Sequence, residues 1–260
     1  MKGRNLLLKG ALLALAGAAC LPANDNFHEE FSKIYTLSAR GRVSLENING
    51  DVHIHAWDRN EVRVEAIKTA ASQGLLNEAR VLVDSSPGAI SILTRYPDGT
   101  NANPGKVEFT VTVPRAAHLD QIKLINGTVD IEGVTGEVNA SSVNGTVRAQ
   151  KIAGDARLST VNGKLEATFE RLSDAKTISM NSVNGSIEIS IPYDARAEFN
   201  ARNVTGGIDN DFGIPVNRDR AVGTQLHGVL KGGGTLINLN NINGSICIMP
   251  MAHGRRVRFT

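Results

Sequence analysis

The sequence predicts an all-β protein built as a parallel β-solenoid, β-helix-like, with coils of 18–22 residues preceded by less regular β-strands. Three observations predict it. Asn-Gly recurs at Asn49, Asn126, Asn144, Asn162, Asn184 and Asn243, with intervals of 18, 18 and 22 residues between Asn126 and Asn184. Each copy follows an Ile or Val, and two residues beyond each glycine stands another apolar residue. The composition, 26 glycines with 41% hydrophobic and 4% aromatic residues among 260, suits a turn-rich β fold rather than a low-complexity chain.

Residues 1–19 read as a signal peptide. Lys2, Arg4 and Lys9 precede the apolar run Ala11–Ala19, which is too short to span a bilayer. Cys20 follows Gly17-Ala18-Ala19, which resembles a bacterial lipobox. That resemblance implies acylation of Cys20; ordinary cleavage after Ala19 or Ala23 is the alternative. Cys247 is the other cysteine, so no disulfide framework exists and stability rests on packing. Without Lys2, Arg4 and Lys9 the 28 basic residues fall to 25, against 26 acidic ones. Such a balance gives no field for nucleic acid or an anionic membrane.

Residues 20–35 read as a polar tether and 36–114 as an N-terminal β region. Its strands centre on Val62–Ile67, Val81–Val83, Ile90–Thr94 and Val107–Val113, with a loop at Pro97–Asn101. Residues 115–250 are the solenoid repeats, interrupted by an insertion at 207–235, and 251–260 form a basic tail.

Within the repeats the strands alternate apolar and polar residues, the period of a half-buried strand. Stacked coils would align Val129, Val147, Leu165 and Ile187 inward, and Asp130, Arg148 and Glu166 outward with alternating charge. The asparagines would form a structural ladder of amides, with Asn144 buried at a coil corner and Asn243 at the end of the stack. The alternative is a meander in which each Asn-Gly is a type I′ hairpin turn.

The run from Ile125 to Lys164, the segment Gly232–Ile246 (GGGTLINLNNINGSI), the opening Asn49–Asp58 and Val111–Pro114 together resemble the DUF4097 "putative adhesin" family. The resemblance spans residues 36–250. It implies an extracytoplasmic β-solenoid-like domain without an established activity, and it carries no functional residues.

Candidates for chemistry are few. His53 and His55 share one face of a strand, but a metal site needs a third ligand that the sequence does not fix. In Leu226–Gly234 (LHGVLKGGG), Lys231 precedes the glycines, the reverse of a phosphate-binding loop, so a backbone bend is expected. Asp209, Asn210 and Asp211 offer oxygens to calcium without the regular spacing of a calcium β-roll. The sequons at Asn126, Asn139, Asn144, Asn184, Asn203 and Asn243 follow from the repeat rather than from glycosylation. Short coils cannot wall a catalytic cleft, and no aromatic residue lies between Ala116 and Ala167 to make a sugar platform.

No catalytic residue, cofactor or metal is therefore expected. The sequence points to an exported, non-enzymatic envelope protein of the periplasm or outer membrane, a scaffold or adhesin-like surface. Its partner would be an envelope protein or polysaccharide, with membrane contact only through a lipid on Cys20 and no nucleic acid. Exposed end coils would allow edge-to-edge self-association. The alternative is a carbohydrate-binding or polysaccharide-processing β-helix protein.

Overall fold

The structure, a computed structural model, describes residues 27–97, 105–219 and 223–251. The leader, Cys20 and the tail from residue 252 lie outside the described residues. The chain opens with β1 (Phe27–Thr36), β2 (Arg42–Asn49), β3 (Val52–Trp57) and β4 (Glu61–Ala70), then a short helix α1 (Gln73–Glu78). β5 (Arg80–Ser86), β6 (Ala89–Arg95) and β7 (Lys106–Pro114) follow. Strand pairs come next: β8 (His118–Asn126) with β9 (Val129–Glu132), β10 (Val138–Asn144) with β11 (Val147–Ile152), and β12 (Ala156–Asn162) with β13 (Leu165–Phe169). β14 (Thr177–Asn184) with β15 (Ile187–Ile191) and β16 (Ala197–Thr205) with β17 (Ile208–Asn210) continue the series. A hairpin of β18 (Val216–Asp219) and β19 (Gly223–Leu230) leads into the closing pair, β20 (Thr235–Asn243) and β21 (Ile246–Pro250).

These strands make two large sheets. Sheet A has ten in the order β1-β4-β7-β3-β9-β11-β13-β15-β21-β17, and sheet B eleven in the order β18-β19-β16-β20-β14-β12-β10-β8-β2-β6-β5. Each Asn-Gly carries the chain from a strand of B to a strand of A, so none of the six joins a hairpin. From β7 to β17 in A and from β16 to β6 in B the neighbours are parallel. The outermost strands are antiparallel: β1–β4–β7, β5–β6, and β16–β19–β18. The expectation of a uniformly parallel solenoid is corrected accordingly. Both sheets are mixed, because antiparallel strands rather than further coils close one end of sheet A and both ends of sheet B.

Register between rungs is set by the repeat. Val129, Val147, Leu165, Ile187 and Ile246 are successive partners in sheet A, and Ala140, Leu158, Met180, Leu239 and Ala201 in sheet B. All are buried in one continuous core between the sheets. Each large side chain buried there contributes about 1.5–3 kcal/mol by leaving water. A one-residue slip of any strand would turn its apolar set outward, so the register is strongly specified.

The corner explains the glycine. Gly145 has φ +153° and Gly163 φ +151°, and a Cβ on either would collide with the carbonyl of the glycine one rung below. The same closeness lets Gly145 N–H donate to the Asn162 carbonyl at 2.8 Å, which holds successive corners together.

Two expectations change. Residues 27–35, read as tether, belong to β1, which pairs along its length with β4 and rests Phe31 and Tyr35 against the core. Asn243 is not at the end of the stack: β20 and β21 lie between the β14/β15 rung and the β16/β17 rung. Within residues 36–114, β2 and β3 are the first Asn-Gly rung and lie directly beside β8 and β9.

Candidate binding face

Sheet B presents three outward rows to solvent, each crossing seven rungs. In the order β2, β8, β10, β12, β14, β20, β16, the row next to the corner is Ile48, Ile125, Val143, Val161, Val183, Ile242 and Val204. Ile125, Val143, Val161, Val204 and Ile242 are all more than 40% exposed. With rungs about 4.8 Å apart, the row is roughly 29 Å long. Scattered exposed hydrophobes need no explanation, but a contiguous stripe marks an interaction surface.

Two polar rows border this stripe. On the strand side run Glu46, Lys123, Ser141, Ser159, Asn181, Asn240 and Arg202. The short Ser and Asn side chains leave a groove of about 670 Å³ between themselves and the Ile/Val wall. Lys123, near one end, lies 3.9 Å from Glu46. Arg202, at the other end, has no carboxylate partner among the described residues.

The asparagines of the repeat stand on the corner side. Asn126 donates to Asn49 Oδ1 at 2.7 Å, Asn144 to Asn126 at 2.9 Å, and Asn162 to Asn144 at 2.9 Å. Asn184 donates to Asn162 at 3.0 Å and Asn243 to Asn184 at 2.9 Å. These side chains face solvent, apart from the half-buried Asn49, so the expectation of a buried corner amide is corrected. The corner turns outward there because the glycine carbonyls occupy the inside.

What the inside holds was not read from the sequence. Two residues before each corner position stand Asn47, Leu124, Ser142, Thr160, Ser182, Asn241 and Asn203, all buried and all but one polar. Thr160 Oγ1 donates to Gly145 O at 3.1 Å, Asn241 to Gly185 O at 3.1 Å, and Asn203 to Gly244 O at 2.8 Å. Asn47 reaches Gly50 O at 3.1 Å and Val107 O at 2.8 Å. Asn47, Thr160, Asn203 and Asn241 thus satisfy corner carbonyls that would otherwise lose hydrogen bonds on burial, whereas the Ser182 hydroxyl makes none among the described residues. The signal available in the sequence was a polar residue recurring in the inward phase of each strand. Asn203, one of the sequons, is wholly buried in this role.

Sheet A is different in character. Across its outer face Asp130 lies 3.2 Å from His53 and 2.7 Å from Arg148, which reaches Glu166 at 2.6 Å. Lys164 then joins Glu166 at 2.6 Å and Glu188 at 2.7 Å. Burial pushes the Glu166 carboxyl up, but hydrogen bonds from Lys164 and Arg148 outweigh it and hold it below the usual glutamate range. Hydrogen bonding to Glu166 raises Arg148 further. His55, one step along β3, lies 3.9 Å from Glu132, which Lys151 also engages.

Among the described residues no group of three or more His, Cys, Asp or Glu is arranged to hold a metal ion. Asn210 is engaged in a turn, donating to Ile214 O at 3.0 Å and accepting from Ile214 N–H at 2.9 Å. Lys231, Gly232 and Gly233 all have positive φ and form the tight bend into β20. Lys231 lies over the ring of Tyr193. Burial, with Glu188 and Asp209 nearby, pushes the Cys247 thiol up and keeps it protonated at neutral pH, away from nucleophilic chemistry.

The fold is similar to that of a "putative cell adhesion protein" from Clostridium sporogenes ATCC 15579, with 11% identity and a TM-score of 0.51 over 86% of this chain and 100% of that one. A "putative adhesin" from Bacteroides fragilis NCTC 9343 aligns with 86% of this chain and 97% of its own, at 10% identity and a TM-score of 0.37. Likeness at such identity concerns the fold alone. No family model matches the chain. No curated protein matches it either. Among the described residues no helix is long and apolar enough to cross a membrane.

Proposed function

We propose that this chain is an exported, non-enzymatic envelope protein of the adhesin-like kind, a β-solenoid-like stack whose binding surface is the outer face of sheet B. The observation that carries the reading is the seven-rung Ile/Val stripe beside the groove of Ser and Asn. A flat surface of this kind offers no walled cleft and, among the described residues, no positioned acid–base pair. What it offers is length, an apolar wall and a row of hydrogen-bonding groups repeated rung by rung. Those features suit an elongated partner lying along the stack, with Arg202, which has no carboxylate partner among the described residues, favouring a negative group at that end.

The motifs of Asn49–Asp58, Val111–Pro114, Ile125–Lys164 and Gly232–Ile246 support placing the chain in the DUF4097 family. Similarity to the clostridial fold supports the adhesin-like reading. In this reading residues 1–19 direct export, and Cys20 supplies the membrane attachment.

Adherence of the purified full chain to whole bacterial cells and isolated envelope tests the proposal. Val143→Asp with Ile242→Asp places two carboxylates in the stripe three rungs apart, so that they do not face each other, on exposed positions where the fold tolerates them. Adherence should fall at least about tenfold with the melting temperature nearly unchanged. Undiminished adherence by the folded double variant would remove the stripe from the function.

A further inference from the structure

The two ends of the stack are unlike. At one end the sheets finish in β17 and β18, of three and four residues, and edges so short are poor templates for another chain. At the other end they finish in β1, ten residues long, and β5, seven. Each is paired on one side only, β1 with β4 and β5 with β6, so each leaves a row of backbone groups open. Neither contains proline. Phe27, Ile34 and Leu82 are each more than 40% exposed. Glu29 and Lys33 stand on the same face of β1 as Phe31 and Tyr35, inward charges of the kind that blunt an edge unless a second copy supplies their opposites.

We infer that this end is a dimerisation surface, in which β1 pairs antiparallel with β1 of a second copy about a two-fold axis through Phe31. The sequence of β1 is complementary to itself in that register. Phe31 meets Phe31, Glu29 meets Lys33, and Phe27 meets Tyr35, each heterologous pair occurring twice. Glu29 is held by Lys68 of β4 at 2.7 Å, and Lys33, four residues along the same face and about 14 Å away, is too far to join it within one copy, so a second copy would bring Glu29 a second cation. Lys33 has no carboxylate partner among the described residues and lies over Tyr35. Aromatic and opposite-charge cross-strand pairs are the contacts that stabilise antiparallel neighbours.

Beyond the shared β2/β3 rung sheet A carries three strands and sheet B two, so β1 stands about 4.8 Å further out than β5 and makes the pairing alone. Closure by two-fold symmetry also stops growth at two copies, because the far end has no comparable edge.

The test uses the purified full chain in sedimentation equilibrium across a concentration series. Wild type should give a dimer. Lys33→Glu and Glu29→Lys, each alone, place like charges opposite one another and should weaken the dimer at least about tenfold. Mixing the two variants restores both Glu–Lys pairs, so the equimolar mixture should recover the dimer. Phe31→Cys should give an interchain disulfide on mild oxidation, whereas Ile34→Cys, which meets His28, should not. A wild type that stays monomeric throughout would overturn the inference. So would a dimer indifferent to both charge variants, or one whose mixture fails to recover.

Discussion

The side-chain amide of Asn243 donates to Oδ1 of Asn184 at 2.9 Å, although the degenerate corner Val204-Thr205-Gly206 lies between them in the chain. The rung formed by β16 and β17 is thus laid down one place ahead of its neighbour, and β20 and β21 later fill the gap. β20 is parallel to β14 on one side and to β16 on the other.

Removing that inserted pair should therefore cost more than removing an end rung. A chain ending at Gly234 would strip β14 and β16 of their shared neighbour and leave β16 to β19 detached from the stack. Such a truncation should lose cooperative unfolding in its C-terminal third, read as a second transition in a denaturant melt. A single unchanged transition would show that β16 can dock on β14 directly.

Substitution along the asparagine row should follow the number of bonds each residue makes. Asn144, Asn162 and Asn184 each donate once and accept once, whereas Asn49 only accepts and Asn243 only donates. Because these side chains are solvated, each lost bond is worth about 0.5–1.5 kcal/mol. Denaturant melts should rank Asn144→Ala and Asn162→Ala above Asn49→Ala and Asn243→Ala. Equal losses at all four would indicate that only local turn preference is at stake.

Inside the corner the effect should be larger per bond. Thr160→Val keeps the shape but strands the carbonyl of Gly145 in a dry site, at about 1–3 kcal/mol. Gly145→Ala should exceed that, since positive φ alone costs about 1–3 kcal/mol before the collision with Gly127 is counted. Melting both variants against wild type checks the order, and a silent Thr160→Val would remove the inner row from the stability of the fold.

Acid should loosen the charged face first. Glu166 has its folded pKa below its ordinary value, so its contribution is present above the unfolded pKa and lost as pH falls through the folded one. Stability of wild type should decline below the ordinary glutamate range. Glu166→Gln should be less stable at neutral pH and show a flatter decline, measured by melts between neutral pH and mild acid. An unchanged slope would mean that other carboxylates govern that limb.

The repeat was legible because its two signals coincide. A glycine demanded by the close approach of corners recurs with apolar residues at fixed offsets, so Val129, Val147 and Leu165 could be aligned by eye. The ends were not legible. β1 carries Phe27, Phe31, Ile34 and Tyr35 among charged and polar neighbours, too little periodicity to separate an edge strand from a tether. The order of the last rungs depends on which strand fills a gap, a long-range choice that local pattern does not encode. The binding stripe was visible as the Ile or Val before every asparagine, but alternation alone did not show that these residues stay uncovered.

Because successive rungs of sheet B offer nearly the same groups, the face has no unique registration mark along its middle. An elongated partner displaced by one rung meets Val161 where it had met Val143, and Ser159 where it had met Ser141. Attachment would then resemble a slide rather than a lock: many near-equivalent positions about 4.8 Å apart, with firm stops only where Lys123 and Arg202 end the run. Tension along the stack could be relieved by stepping instead of letting go.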